Sequence, residues 1–420
     1  MLPVVVQQLN GQHLFGASFF AYLLASLVSL VWAGAITDRE GPRRPFITGL
    51  AIFIVGLVVG ALATSMWQFV LGRALQGLGG GAVHSVVFAS INLAYEESKR
   101  KRAIAFVTSA WILPALLAPM ISGYITQYWD WHWVFWGIIP FAMCVGLITY
   151  NRLGSLTPVI QESFPVSQNS QQLLGRAVRI ALGIGLLLAA ISLLHGLWLC
   201  AISIIGVLIF WRPLNTVFPS GIWTAQAGLG TALALKFLLV FSFFGAEAFI
   251  PTLLKNHYGY TPFQAGGVIT GAAIAWTAAT WVYESSVNLF RSKTILIVGC
   301  CIIFCGLNLL LIGLTVIQQP LVSYVAWIVT AFGMGLAYPL TMISAMSSTK
   351  AGSEGHTATA AGMVDALGFS FSSGIGGAIL NMTTARGWLM VDSVQLIWLL
   401  MIFVAMLSIG IGIARYSEPV

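Results

Sequence analysis

Apolar residues fill long stretches of this chain, broken by short polar or Gly/Pro-bearing segments. Stretches able to cross a bilayer lie at 14–36, 46–65, 67–94, 103–127 and 131–150. A polar linker over 151–175 follows, and further stretches lie at 177–194, 196–212, 228–253, 264–283, 293–315, 320–346, 357–382 and 393–414. Spanning the hydrocarbon core as a helix takes about 20 mostly apolar residues, so the pattern predicts about thirteen transmembrane helices.

The stretch from 177 to 212 decides the topology. As one helix it would be about 53 Å long, against a core of roughly 30 Å. As a hairpin broken near His195–Gly196, each arm has about 17 residues, the lower limit for spanning. Two spans put Arg39, Arg43, Arg44, the Lys99–Arg102 run, Arg152, Arg176, Arg179, Arg212, Arg291, Lys293, Lys350 and Arg415 on one side. Only Lys255 and Arg386 then fall on the other side. Cytoplasmic loops carry the excess of Lys and Arg, so the hairpin is expected, with the first residue outside and the C-terminus in the cytoplasm. Tyr128, Trp129, Trp131 and Trp133 sit at a predicted outer boundary, where aromatic belts form.

Composition agrees. The 420 residues are 58% hydrophobic and 7% charged, far from the roughly 25% charged typical of soluble domains. The net charge of +7 resides in loops, so it reports topology and predicts no nucleic-acid partner. Cys144, Cys200, Cys300, Cys301 and Cys305 all lie in apolar runs without paired spacing, and neither disulfides nor a metal site is expected. GLGGGA and SGIGGAIL follow no strand and precede no lysine in phosphate-loop spacing, which excludes nucleotide binding and leaves close helix packing. No cofactor is expected. The first apolar run lacks a basic n-region and cleavage site, so it reads as a span and not as a signal peptide.

The first cytoplasmic loop reads GAITDREGPRRP, from Gly34 to Pro45. A glycine in the helix, a carboxylate at its end and a following arginine cluster suit a charge-assisted latch. This string resembles the G-x-x-x-D-R-x-G-R-R/K signature of the major facilitator superfamily at Gly34, Asp38, Arg39, Gly41 and Arg43, with Pro42 in place of the first arginine of the usual pair. RALQGLGGGA resembles the R-x-x-Q-G-x-G signature on that superfamily's fourth helix, at Arg73, Gln76, Gly77 and Gly79. WDWHWVFWGIIP resembles a W-R-W-x-F-x-x-x-x-P segment of its fourteen-span drug:proton antiporters, with His132 where arginine is usual. The antiporter motif G-x-x-x-G-P-x-x-G-G survives only as Pro119 and Gly123, amid Pro114, Ala118 and Ser122. The second half matches in span count and in FFGAEAFIP followed by YTPFQAGG.

The resemblance implies an all-α integral membrane fold of two six-helix halves with a two-helix insert. The expected parts are a first half at 1–150, a linker and two extra helices at 151–227, and a second half at 228–420. Five spans before the insert and six after it imply a first helix upstream of residue 1. MLPVVVQQL resembles the outer end of that helix, and a misassigned start codon is the expected explanation ahead of a decayed gene. The resemblance also implies a gate at Gly34, Asp38, Arg39, Gly41 and Arg43, and packing roles for Gly77, Gly79, Pro119 and Gly123.

Charges inside spans cost about 2.5–3.5 kcal/mol each on insertion scales, so they usually pair or line a cavity. Arg73 and Glu247 fall in the outer half of their spans, and Lys236 and Asp365 in the inner half, which allows two ion pairs. These four residues and Gln76 form the predicted solute and proton pathway. His84, in the small-residue run GGGAVHS, reads as packing. The expected function is a monomeric secondary transporter of the inner membrane, exporting a small amphipathic solute against protons. Alternatives are an importer, a metabolite or siderophore exporter, or a membrane-embedded lipid-linked transferase. The last would need acidic or His clusters near a membrane face, and the six histidines are dispersed.

Overall fold

The computed structural model describes residues 1–96, 112–153, 166–193, 196–218, 221–286, 290–349 and 354–416. Every regular element among them is helical: α1 (Leu2–Gln8), a 3-10 turn (Gln12–Leu14), α2 (Phe15–Glu40), α3 (Arg43–Ala61), α4 (Met66–Ala94), α5 (Ile112–Tyr128), α6 (His132–Leu153), α7 (Val166–Leu193), α8 (Gly196–Val217), α9 (Leu229–Glu247), α10 (Ile250–Asn256), α11 (Pro262–Ser286), α12 (Ser292–Thr315), α13 (Val322–Ser347), α14 (Glu354–Ala385) and α15 (Met390–Arg415). Among the described residues, 12 helices are long and apolar enough to cross a membrane, α9 and α10 together counting as one. The span expected at 103–127 is described only from Ile112, as the 17-residue α5. The Lys99–Arg102 run and Lys350 lie outside the described residues.

Three boundaries differ from the sequence expectation. The polar linker is shorter than 151–175, because α6 runs to Leu153 and α7 begins at Val166. The segment VSQNSQQLL is polar but contains no Gly or Pro to stop a helix. The run at 228–253 is broken: α9 ends at Glu247 and α10 starts at Ile250. Pro251 is the cause, since it has no N–H to offer the Glu247 carbonyl and its ring crowds that position. It instead occupies the first turn of α10, where a proline costs nothing. Finally, Trp131 leaves the outer aromatic belt. It is 1% exposed, whereas Tyr128, Trp129 and Trp133 are 62%, 71% and 56% exposed. Its indole Nε1 donates to Gln8 Oε1 at 2.6 Å, and its ring packs edge-on against Phe69 and Phe135.

The described helices group into two compact units. One comprises Val4–Leu113 and Tyr128–Val217. Within it α4 packs on both α2 and α3, α6 on α3, α7 on α2, and α8 on α7. In a bilayer, helices associate largely by close packing, which small residues permit. A Cβ on Gly77 would fall 2.1 Å from the Tyr22 carbonyl oxygen, and one on Gly81 2.2 Å from that of Ser26. Gly79 faces the other way, with its would-be Cβ 2.4 Å from the Phe53 nitrogen on α3. Gly183 and Gly206 bring α7 and α8 together reciprocally, each would-be Cβ lying 2.6–2.7 Å from the other's carbonyl oxygen. Ile180, Ile184 and Leu188 bury one face of α7, while Leu197, Trp198 and Leu208 leave α8 exposed.

The other unit comprises Met1–Pro3, Pro114–Gln127 and Phe218–Val420. Here α9 packs against α13, α14 and α15, and α13 against α11 and α12. α5 lies on α11: a Cβ on Gly123 would fall 2.5 Å from the Pro262 carbonyl oxygen, and one on Gly266 2.4 Å from that of Pro119. Thr270 Oγ1 donates to the Leu116 carbonyl at 3.0 Å across the same contact.

Candidate functional site

The break between α9 and α10 makes Glu247 the last residue of α9. Its carboxylate accepts a hydrogen bond from the indole Nε1 of Trp327, on α13, at 3.3 Å. The neighbouring Ala246 carbonyl accepts from the indole of Trp398, on α15, also at 3.3 Å. Both tryptophans are fully buried. One rigid donor therefore holds the acidic side chain, and a second braces the backbone beside it, at the point where α9 is interrupted.

Lys236 lies three helical turns earlier on α9. Its Nζ is 3.0 Å from Asp365 Oδ1 on α14. Tyr338, on α13, donates its hydroxyl to Asp365 Oδ2 at 2.8 Å. The same tyrosine ring lies beneath the ammonium, with Nζ 3.8 Å from the ring centroid. Small residues on α14 make this meeting possible. Gly368 packs against Val240, Ser372 against Gly245, and Gly376 against Phe249, so α14 lies close along α9. Gly335 brings α13 onto α11, its would-be Cβ falling 2.5 Å from the Trp276 carbonyl oxygen.

Aromatic rings join the two charged sites. Phe243 stacks on Trp327 at 4.6 Å between centroids and meets Trp276 edge-on at 5.3 Å. Trp276 also meets the ring of Tyr338 at 5.6 Å. Phe244 stacks on Phe369 at 5.1 Å. Phe244, Trp276, Tyr338 and Phe369 are only partly buried, so this face of the unit offers ring surface beside two carboxylates. Such a combination pairs flat apolar area for stacking with charge that can orient a polar group.

Arg73 and Glu247, the other pair allowed by depth, lie in different units. Arg73 is satisfied within its own. It donates to Gln76 Oε1 at 2.6 Å and to the Ser18 carbonyl at 3.3 Å, and stacks 4.6 Å over the Tyr22 ring. Gln76 in turn donates to the Gly56 carbonyl at 3.0 Å. Arg73 and Gln76 thus tie α4 to α2 and α3. The His84 ring lies 5.0 Å from that of Phe88.

At the first loop, Gly41 takes a φ of 85° that closes α2, a conformation glycine adopts without strain. Pro42 then caps α3. The Arg43 guanidinium lies 3.9 Å over the Tyr150 ring on α6. Arg44 pairs with Glu40 at 2.8 Å on the exposed surface, and Arg39 is exposed. Behind the loop, Ala33, Phe46, Ala82, Val86 and Leu153 form a buried cluster. A Cβ on Gly34 would meet only the Ser85 hydroxyl, at 3.2 Å. The Asp38 side chain lies outside the described residues.

A family model described as Major Facilitator Superfamily matches residues 1–377. A Mycobacterium tuberculosis protein named probable multidrug-efflux transporter is 25% identical over 402 residues, covering 92% of this chain and 84% of that one. The Bacillus subtilis multidrug transporter protein MdtP is 23% identical over 393 residues, covering 90% and 71%. Among solved structures, a D-xylose–proton symporter superposes with a TM-score of 0.68 at 14% identity, covering 98% of this chain and 89% of that one.

Proposed function

Because this chain belongs to the Major Facilitator Superfamily and is a multi-pass membrane transporter rather than an enzyme, we propose that it exports a small amphipathic or drug-like solute in exchange for protons. The observation that carries this reading is Asp365. One of its oxygens pairs with the sealed ammonium of Lys236 and the other accepts from Tyr338, yet its side chain is 34% exposed. An acid balanced against a buried cation, and itself only part-buried, is suited to exchange a proton as the protein changes state. Glu247, on its tryptophan donor beside the ring surface, is the second candidate proton site.

Alternating access between two states would change the surroundings of these two acids and so switch proton affinity between the states. Gly34, Asp38, Arg39, Gly41 and Arg43 form the cytoplasmic gate, and α7 with α8 stand outside the pathway. The two multidrug-transporter relatives favour export as the direction. The protein works as a monomer with its C-terminus in the cytoplasm.

The test uses purified protein in inside-out vesicles with a fluorescent lipophilic cation as probe. An acid interior should drive accumulation, and collapsing the pH gradient should release the probe. Accumulation indifferent to the gradient would remove the proton exchange.

A further inference from the structure

The side chain of Lys236 is 3% exposed. If Asp365 takes up a proton, as the proposed exchange requires, the Lys236 ammonium loses its counter-charge while still cut off from water. A buried charge without compensation is strongly destabilising, so something else must hold it. Tyr338 is already in place. Its ring face lies 3.8 Å from Nζ, within range of a cation–π contact. Its hydroxyl reaches the carboxylate oxygen that Lys236 does not.

We propose that Tyr338 is a positioning residue of the proton switch, its hydroxyl steadying Asp365 when charged and its ring holding the Lys236 ammonium when Asp365 is protonated. The inference rests on the reading of Asp365 as a proton site. Its geometry also links that site to the solute face, because Trp276 leans edge-on against the Tyr338 ring. A solute that displaces Trp276 would alter how tightly the ring is held.

Few other ionisable groups lie on the helices packed against α14. α9 brings Lys236 and, about 16 Å farther along its axis, Glu247. α13 brings Tyr338 and, about 21 Å away, Tyr324. α15 carries Asp392 and Arg415 at its two ends. Lys236 and Tyr338 are the groups that touch the Asp365 carboxylate among the described residues.

The test compares Tyr338→Phe, which keeps the ring and loses the hydroxyl, with Tyr338→Leu, which loses both. Gradient-driven accumulation of the lipophilic cation and its gradient-free exchange are measured across pH. Tyr338→Phe should move the pH midpoint of accumulation upward by roughly one unit, because a carboxylate without its donor holds a proton more readily. Tyr338→Leu should in addition lower gradient-driven flux by about tenfold or more while exchange persists. Equal losses in both variants, or an unmoved midpoint in Tyr338→Phe, would overturn the proposal. Should Tyr338→Leu fail to reach the membrane, the midpoint of Tyr338→Phe decides alone. Asp365→Asn run in parallel separates the two levels: full gradient-driven accumulation there would sink the Asp365 reading itself, whatever Tyr338 does.

Discussion

Lys236 and Asp365 form an asymmetric ion pair: at 3.0 Å separation the lysine side chain is 3% exposed and the aspartate side chain 34%. The cation depends on its partner, while the acid is itself only part-buried. Removing the acid should therefore hurt more than removing the base. Asp365→Ala should lower stability by up to about 3 kcal/mol, the low end for a buried pair because one partner is partly exposed. Lys236→Met should cost less, and the double variant should recover most of the loss. Thermal unfolding in detergent reads all three. A double variant as unstable as Asp365→Ala would show that charge is not the reason.

Gly77 should be intolerant of any side chain. A Cβ there would fall 2.1 Å from the Tyr22 carbonyl oxygen, which is backbone and cannot swing aside. Gly77→Ala should cost roughly 1–3 kcal/mol as α2 and α4 are forced apart. Gly34→Ala should cost much less, since its neighbour is the Ser85 hydroxyl at 3.2 Å. Melting temperatures of the two variants in one detergent give the comparison. Equal losses would contradict the packing account.

The glycine pattern and the intramembrane charges were legible in the sequence for a physical reason. Charges are rare in apolar spans, so each is conspicuous, and counting from span ends puts Lys236 and Asp365 at one depth. Their partners were not legible. Trp327 and Tyr338 are aromatic residues among many in apolar helices, and no spacing rule says which ring meets a carboxylate. Pro251 was visible in the sequence but did not by itself mark an interruption, because Pro119, Pro140, Pro213 and Pro339 lie inside helices that continue through them. Trp131 misled because it shares a belt-like string with Trp129 and Trp133, whereas its indole found Gln8 inside the unit.

At the first loop, Arg43 and Arg44 should behave differently although they are neighbours. Arg43 stacks on Tyr150, whereas Arg44 makes an i,i+4 pair with side chains 80% and 48% exposed. Arg44→Ala should change stability by no more than about 0.5 kcal/mol and leave transport intact. Arg43→Ala should reduce transport while membrane insertion stays largely normal, as should Asp38→Asn. Normal flux in both Arg43→Ala and Asp38→Asn, at normal expression, would remove the gate assignment.

The α7–α8 pair should lie outside the solute path. The run 177–212 contains no carboxylate, and its helices pack on each other and, through α7, on α2. Cysteines introduced along Leu186–Leu193 should react slowly with aqueous reagents, and added solute should not protect them. A reactive, solute-protected position in the middle of either helix would reverse this reading.

Proton exchange at a buried carboxylate is the centre of the account, and Glu247→Gln and Asp365→Asn test it most directly. Each keeps the shape of its side chain, and the amide oxygen introduced by Glu247→Gln can still accept from the Trp327 indole. The measurement is gradient-driven accumulation of a lipophilic cation in inside-out vesicles, set against gradient-free exchange of the same probe. At least one variant should lose gradient-driven accumulation and keep exchange. Full gradient-driven accumulation in both would contradict the account.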